Sequence, residues 1–288
     1  MEVLTVKNLN KHYEKFHLKD VSFSVERGRI MGFIGRNGAG KTTTMKSILN
    51  LVHPDSGSIR FFGLDVKEHE FEIKQRISFI LGAANYYSQS KIRTITDVYR
   101  RFYKKWDEAI YQNYLTRFEL DPEKKIKQLS QGMSIKFALA LALSHHAELL
   151  ILDEPTTGLD PVSRDELLNI FTDIVDKEGA SIFFSTHITS DLEKNADDIT
   201  YLKDGEIIAS QDKDTFLNSY LIIEGETARI SESLKKNIIG FRERKGEFTG
   251  MVQSNDVLDI QEFKVTPADL ESIMIYTERR QADEKPDL

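Results

Sequence analysis

The stretch Gly35-Arg36-Asn37-Gly38-Ala39-Gly40-Lys41-Thr42 constrains this chain more than any other. It follows the apolar β-type run Ile30–Ile34 and opens a helical pattern at Lys41, so its glycine spacing falls at a strand-to-helix junction. Glycines at such a junction let the backbone curl until successive N–H groups point inward, and the positive end of the next helix adds to that field. A loop of this kind cradles a polyphosphate. Lys41 then reaches the β- and γ-phosphates, and the Thr42 hydroxyl is placed to coordinate Mg²⁺. A bare Gly-rich turn would not need the Lys-Thr pair.

The flanking sequence extends the same architecture. Ile30–Ile34, Leu149–Leu152 and Ser181–Phe184 are short apolar runs, each followed by a helical pattern, near Lys41, Val162 and Ser190 respectively. Strands apolar on both faces and separated by helices predict a parallel sheet covered on both sides. Val3–Tyr13 and Leu18–Val25 predict antiparallel strands flanking that core, and Asp204-Gly205 a hairpin turn. Ile95–Trp106, Glu108–Phe118 and Met133–Ser144 carry helical spacing, which makes residues from about 85 to 144 a helical insert. The expected division is an α/β nucleotide-binding domain over residues 1–214 and a small α+β appendage over 215–288. The appendage is expected to have strands near Tyr220–Ile223, Ile238–Arg242 and Glu247–Gln253, a helix over Pro267–Tyr276 and a frayed end.

Leu149-Leu150-Ile151-Leu152-Asp153-Glu154 supplies the other half of a phosphate site. A buried strand ends there in two carboxylates, and ligands collect at the carboxyl ends of parallel strands. By itself an Asp-Glu pair at a strand end is an ordinary helix cap or solvated turn. With a phosphate loop upstream, Asp153 is expected in the Mg²⁺ shell and Glu154 beside the attacking water.

At this point the ordered motifs resemble the ATP-binding cassette (ABC) family over about residues 1–212. Leu129-Ser130-Gln131-Gly132-Met133 is similar to the family's Leu-Ser-Gly-Gly-Gln signature, with Gln131 and Met133 departing from it. Thr157-Gly158-Leu159-Asp160 resembles the D-loop, Ser185-Thr186-His187 the switch histidine, and Tyr13 stands where the family places an aromatic residue against adenine. The resemblance implies the ABC variant of the P-loop NTPase fold, with ATP and Mg²⁺ as cofactors. It also implies a dimer, homomeric or with a second ABC ATPase, in which each signature faces the partner's nucleotide. The implied nucleotide-binding set is Tyr13, Gly35, Asn37, Gly38, Ala39, Gly40, Lys41, Thr42, Thr43, Ser130, Gly132 and Asp160. The implied catalytic set is Lys41, Glu154 and His187. Ser130 at a helix start is also an ordinary N-cap, and the two roles are compatible.

One departure concerns the metal. The family carries a glutamine after the strand that follows the phosphate-loop helix, here Ile77–Leu81, and neither Gly82 nor Asn85 is glutamine. Asn85 is the expected substitute as a metal ligand, with Gln89 or water as alternatives.

Composition narrows the function classes. Lys plus Arg number 39 against 46 Asp plus Glu, for a net charge of −7, and such an acidic chain is a poor default binder of nucleic acid. The basic and aromatic residues of Tyr99–Trp106 are expected on an amphipathic helix with a solvated basic face, not on an RNA stripe. The absence of cysteine excludes disulfides and thiol chemistry. No secretory leader is evident at Met1–Lys11, and the longest apolar run, Phe137–Leu143, is far short of the roughly 20 residues of a membrane helix. A transport ATPase of this kind therefore needs a separate transmembrane permease, which would hold it peripherally at the cytoplasmic face of a bacterial cell membrane. The resemblance points to subunits of drug, bacteriocin or lantibiotic exporters. The rival readings are a soluble cassette acting on ribosomes or DNA, and a non-hydrolysing regulatory partner.

Overall fold

The alternating residues Leu4, Val6 and Leu9 and the facing Val21, Phe23 and Val25 are all buried, and they set the register of two long strands. These strands, β1 (Glu2–Tyr13) and β2 (Phe16–Glu26), pair antiparallel across a turn at Glu14-Lys15. The computed structural model describes residues 1–81, 87–255 and 262–284 of the chain, and these fall into two units, Met1–Ser210 and Gln211–Leu288.

In the first unit, β3 (Ile30–Ile34) leads into α1 (Lys41–Ile48), after which β4 (Ser56–Phe61) and β5 (Leu64–Asp65) complete an antiparallel sheet of order β2-β1-β4-β5. The polar Ser56-Gly57-Ser58 start of β4 conceals its strand character in the sequence. Next come α2 (Glu70–Lys74), β6 (Ile77–Leu81), and the insert helices α3 (Ile92–Phe102), α4 (Glu108–Arg117) and α5 (Gln131–Ser144). The chain returns through β7 (Leu149–Asp153), α6 (Pro161–Glu178), β8 (Ser181–Thr186), α7 (Thr189–Asn195), β9 (Asp198–Lys203) and β10 (Glu206–Asp212).

The second sheet has the order β10-β9-β3-β8-β7-β6, and β9, β3, β8, β7 and β6 run parallel. Every residue of β3, β7, β8 and β9 is buried, as the unbroken apolar runs require of strands covered on both faces. Asp204 and Gly205 both take positive φ, the geometry of the tight hairpin turn between β9 and β10. The two sheets share one core. Phe23 from the antiparallel sheet packs on Phe33 and Phe183 from the parallel one, with ring centroids 5.4–5.6 Å apart. Each such fully buried side chain contributes roughly 1.5–3 kcal/mol. This packing fixes the end of β1 beside the carboxyl ends of β3 and β7.

The second unit contains α8 (Lys213–Asn218), β11 (Tyr220–Glu226), α9 (Glu232–Asn237), β12 (Ile239–Arg244), β13 (Glu247–Gln253), β14 (Lys264–Pro267) and α10 (Leu270–Glu284). Its antiparallel sheet has the order β12-β13-β11-β14 over a core of Ile223, Leu234, Ile238, Phe248 and Val252. Pro267, expected to open a helix, instead ends β14 opposite Leu221. The helix starts later because Asp269 caps it, accepting the backbone N–H of Ser272 at 2.7 Å.

Candidate nucleotide site

The loop between β3 and α1 has little conformational freedom. Gly40 has φ +111°, and a Cβ there would lie 2.6 Å from the Phe16 ring and 2.7 Å from Leu18, so both its backbone angle and its surroundings require glycine. Ala39 is buried and its N–H bonds to the Arg36 carbonyl at 3.1 Å, closing the turn. Lys41, only 6% exposed, folds back over the loop and donates to the Gly35 carbonyl at 2.7 Å and the Arg36 carbonyl at 3.3 Å.

Strands β7 and β8 bring up the acidic half. Asp153 and Ser185 are register partners, and the Ser185 hydroxyl donates to Asp153 Oδ1 at 2.5 Å. The other carboxylate oxygen, Oδ2, accepts from Thr42 Oγ1 at 2.8 Å, which joins the two motifs read from the sequence. Glu154 has φ +52°, a costly conformation for a non-glycine residue and one that clusters at functional sites. Its N–H is held by the Ser185 hydroxyl at 3.0 Å.

The two carboxylate oxygens of Glu154 have different surroundings. Oε2 accepts from the Thr157 hydroxyl at 2.7 Å and lies 2.7 Å from His187 Nδ1, whereas Oε1 is 3.3 Å from Lys41 Nζ. Burial pushes the Glu154 carboxyl up, but the Thr157 hydroxyl, the Lys41 ammonium and His187 outweigh it and hold the group below the usual carboxylate range. Glu154 is therefore ionised at neutral pH, as a proton acceptor must be.

Gly40, Lys41, Glu154, Thr157 and His187 line a cleft of about 710 Å³ that also takes in Tyr13, Phe16, Asn37, Gly38, Thr42 and Thr43, with Asp153 and Ser185 behind its wall. The volume suits a nucleotide-sized ligand. Tyr13 stands at the end of β1, 42% exposed, with Lys11 Nζ 5.6 Å from its ring centroid. Phe16, Thr157 and Ser185 also belong to the site. Thr157 and Ser185 stood in the sequence only as members of longer motifs, without a role, and Phe16 was not marked at all, because their roles follow from the register of β7 against β8 and from the hairpin that folds Phe16 onto Gly40.

Ser130, Gly132 and Asp160 do not line this cleft. Ser130 caps α5, accepting the Met133 N–H at 3.2 Å. Asp160 caps α6, where its carboxylate accepts from the Val162 and Ser163 N–H groups and the Ser163 hydroxyl; these bonds, with the Ser163 hydroxyl foremost, lower its pKa. Gly132 faces open space, since a Cβ there would meet only Leu159 Cδ2, at 3.8 Å. Asn85 falls outside the described residues, and Gln89 lies in the exposed turn before α3. His145 is buried and stacked on Tyr103, with ring centroids 3.7 Å apart, and burial pushes its pKa down to about 4.

Residues 18–157 match the ABC transporter family. The chain is 34% identical over 207 residues to the ABC transporter ATP-binding protein YtrB of Bacillus subtilis, covering 72% of this chain and 70% of that protein. It is 32% identical over 209 residues to the bacitracin transport ATP-binding protein BcrA of Enterococcus faecalis, covering 72% and 68%. Among solved structures, an ATP-binding subunit of an ABC transporter superposes with a TM-score of 0.67 at 30% identity, over 74% of this chain and 91% of that one.

Proposed function

The chain belongs to the ATP-binding subunits of ABC transporters, and from that premise we propose that it is the ATP-hydrolysing cassette of a bacterial exporter. The observation that carries the hydrolytic reading is the division of labour at Glu154: Thr157 and His187 hold Oε2, and Oε1 faces Lys41 on the phosphate side.

The residues assign themselves to steps. Backbone N–H groups from Asn37 to Thr43 and the start of α1 take the phosphates, and Tyr13 takes the base. Lys41 exchanges its loop carbonyls and Glu154 for the β- and γ-phosphate oxygens. Water attacks the γ-phosphorus, the bond to the bridging oxygen of ADP breaks, and Glu154 Oε1 accepts the proton that the water gives up. His187 keeps Oε2 in place and reaches the γ-phosphate. Thr42 Oγ1 and Asp153 Oδ2, 2.8 Å apart, form an oxygen-only donor pair that fits Mg²⁺, an ion that binds few protein ligands and keeps waters. Once bound, Mg²⁺ neutralises charge on the β- and γ-phosphates. Asn85 would add an amide oxygen.

Three features support a transport assembly. No helix among the described residues is long and apolar enough to cross a membrane, so a permease would supply the path. Phe71, Phe79, Val98 and Phe102, on α2, β6 and α3, are 40–61% exposed beside a groove of about 250 Å³, and such a patch suits a helix from a membrane partner. Gly132 and Ser130 present an open helix start, as expected of a surface that completes the nucleotide site of a second cassette. The membrane partner would keep the protein peripheral to the membrane. The name of another relative, a Nod factor export ATP-binding protein 32% identical over 209 residues, favours export.

Affinity capture in detergent tests this assignment. Recovery of a multi-span membrane protein with ATP turnover is the expected result; recovery of ribosomes or DNA, or ATP binding without turnover, would overturn it.

A further inference from the structure

The third signature position is glycine in the motif this chain resembles, but here it is Gln131, whose side chain makes a contact that glycine cannot make. Gln131 Nε2 donates to the backbone carbonyl of Thr157, in the loop that follows Glu154. Its Oε1 lies against Gly158, where a Cβ would come within 2.9 Å of it. Gly158 has φ +80°, so the amide lies flat on a turn that only glycine forms easily. The same Thr157 donates its hydroxyl to Glu154 Oε2 at 2.7 Å. From the head of α5, two hydrogen bonds through one residue therefore reach the carboxylate that serves as base.

We propose that Gln131 is a positioning residue: by holding the Thr157 carbonyl it fixes the Thr157 hydroxyl, and so the rotamer of Glu154, and thereby ties the signature segment to the base within one chain. This rests on Glu154 being the base. The link gives α5 a direct influence on its own subunit's chemistry, besides any contact it makes with a partner's nucleotide. Gln131 is exposed, so the link lies at the surface, where a movement of α5 can break it. A movement of α5 by one hydrogen-bond length would free Thr157 while leaving the phosphate loop unchanged.

A double-mutant cycle on ATP turnover of the full chain tests the link, with Gln131→Ala, Thr157→Val and the pair. A residue acting only through Thr157 should be silent once the hydroxyl is gone, so each single change should lower kcat about three- to tenfold and the pair no further than the stronger single. The KM for ATP should stay within about twofold, because no nucleotide contact is removed. Gln131→Glu, which keeps the length but replaces the donor with an oxygen facing the Thr157 carbonyl, should be no better than Gln131→Ala. Multiplicative effects in the pair, a loss confined to KM, or normal turnover in Gln131→Glu would each overturn the proposal. Glu154→Gln assayed in parallel separates the two readings: near-normal turnover there removes both, whereas an inactive Glu154→Gln with an additive cycle removes the Gln131 link alone.

Discussion

The phosphate loop and the signature segment are both starts of helices, α1 and α5, and both combine glycine with small polar residues, but they carry glycine for opposite reasons. At α1, glycine is demanded from within: Gly40 is pressed by Phe16 and Leu18, and Lys41 is buried over its own loop. At α5, Gly132 is half-buried on the first helical turn, and outside its own helix a Cβ placed there would meet Leu159 Cδ2 at 3.8 Å, an ordinary contact. Glycine costs a helix about 1 kcal/mol relative to alanine, and the one ordinary contact at Leu159 among the described residues does not require bearing that cost. One helix start is complete in its own chain, and the other is shaped for something that approaches from outside.

The sharpest way to break this comparison is at the self-contained end. Lys41→Ala removes the buried ammonium folded over the loop, and MgATP affinity by calorimetry should fall roughly 10²–10³-fold, the loss expected for charge-assisted contacts to two phosphates. The fold should survive, because the lysine bonds to loop carbonyls that water can reach once it is gone. Retained affinity would show that the loop does not hold the phosphates.

Next in size is Glu154→Gln. The amide keeps the shape and can still accept from Thr157, but it cannot take a proton, so turnover should fall by about 10²-fold or more while nucleotide affinity is unchanged. An ATP-bound dimer that persists in light scattering is the expected companion result. Turnover within a factor of a few of wild type would assign Glu154 another role.

The open end is tested by complementation. Gly132→Asp adds a carboxylate side chain whose Cβ makes only an ordinary contact with Leu159 in its own subunit but which would face the γ-phosphate of a partner, so its homodimer should lose at least about tenfold in turnover by charge repulsion at short range. Mixed with Lys41→Ala chains, it should regain part of that activity through the composite site in which both halves are intact. A Gly132→Asp homodimer of normal activity would make the two helix starts equivalent after all and remove the argument for a shared site.

The contrast also explains what the sequence disclosed. The parallel strands were legible because burial on both faces leaves an unbroken apolar run, as in Leu149–Leu152, and the phosphate loop because its glycines are fixed by local backbone geometry. Asp153 and Glu154 were legible from their place at the end of such a run. The roles of Ser185, Phe16 and Thr157 were not, although Ser185 and Thr157 stood inside motifs. Ser185 reaches Asp153 only through the parallel register of β7 and β8, and Phe16 reaches Gly40 only because a hairpin folds over the loop. Gln131 stood in the sequence as a departure from a motif, and its meaning depends on where the Thr157 carbonyl points. The helix start at Leu270 was misplaced because Pro267 was read as its first turn, whereas the capping side chain belongs to Asp269.

The smallest expected effect separates the two aromatic residues beside the phosphate loop, and it shows how far the self-contained end extends. Tyr13 is 42% exposed at the end of β1 and lines the cleft, with Lys11 Nζ 5.6 Å from its ring centroid. Phe16 faces the same cleft, but its ring is packed against Gly40. Stacking a base on an aromatic ring is worth on the order of 1–3 kcal/mol, and the low end applies to a ring as exposed as Tyr13. Tyr13→Ala should therefore weaken ATP binding about five- to tenfold and leave kcat and thermal stability nearly unchanged, and Tyr13→Phe should be close to wild type because stacking needs the ring and not the hydroxyl. Phe16→Ala should behave differently: removing its ring withdraws support from Gly40, so stability should drop together with affinity for triphosphate and diphosphate alike. The discriminating ligand is inorganic triphosphate, which has no base. If Tyr13→Ala weakens ATP but not triphosphate, while Phe16→Ala weakens both, then Tyr13 reads the base and Phe16 braces the loop; if Tyr13→Ala weakens triphosphate equally, the base lies elsewhere in the cleft and the ring of Tyr13 is part of the loop's support.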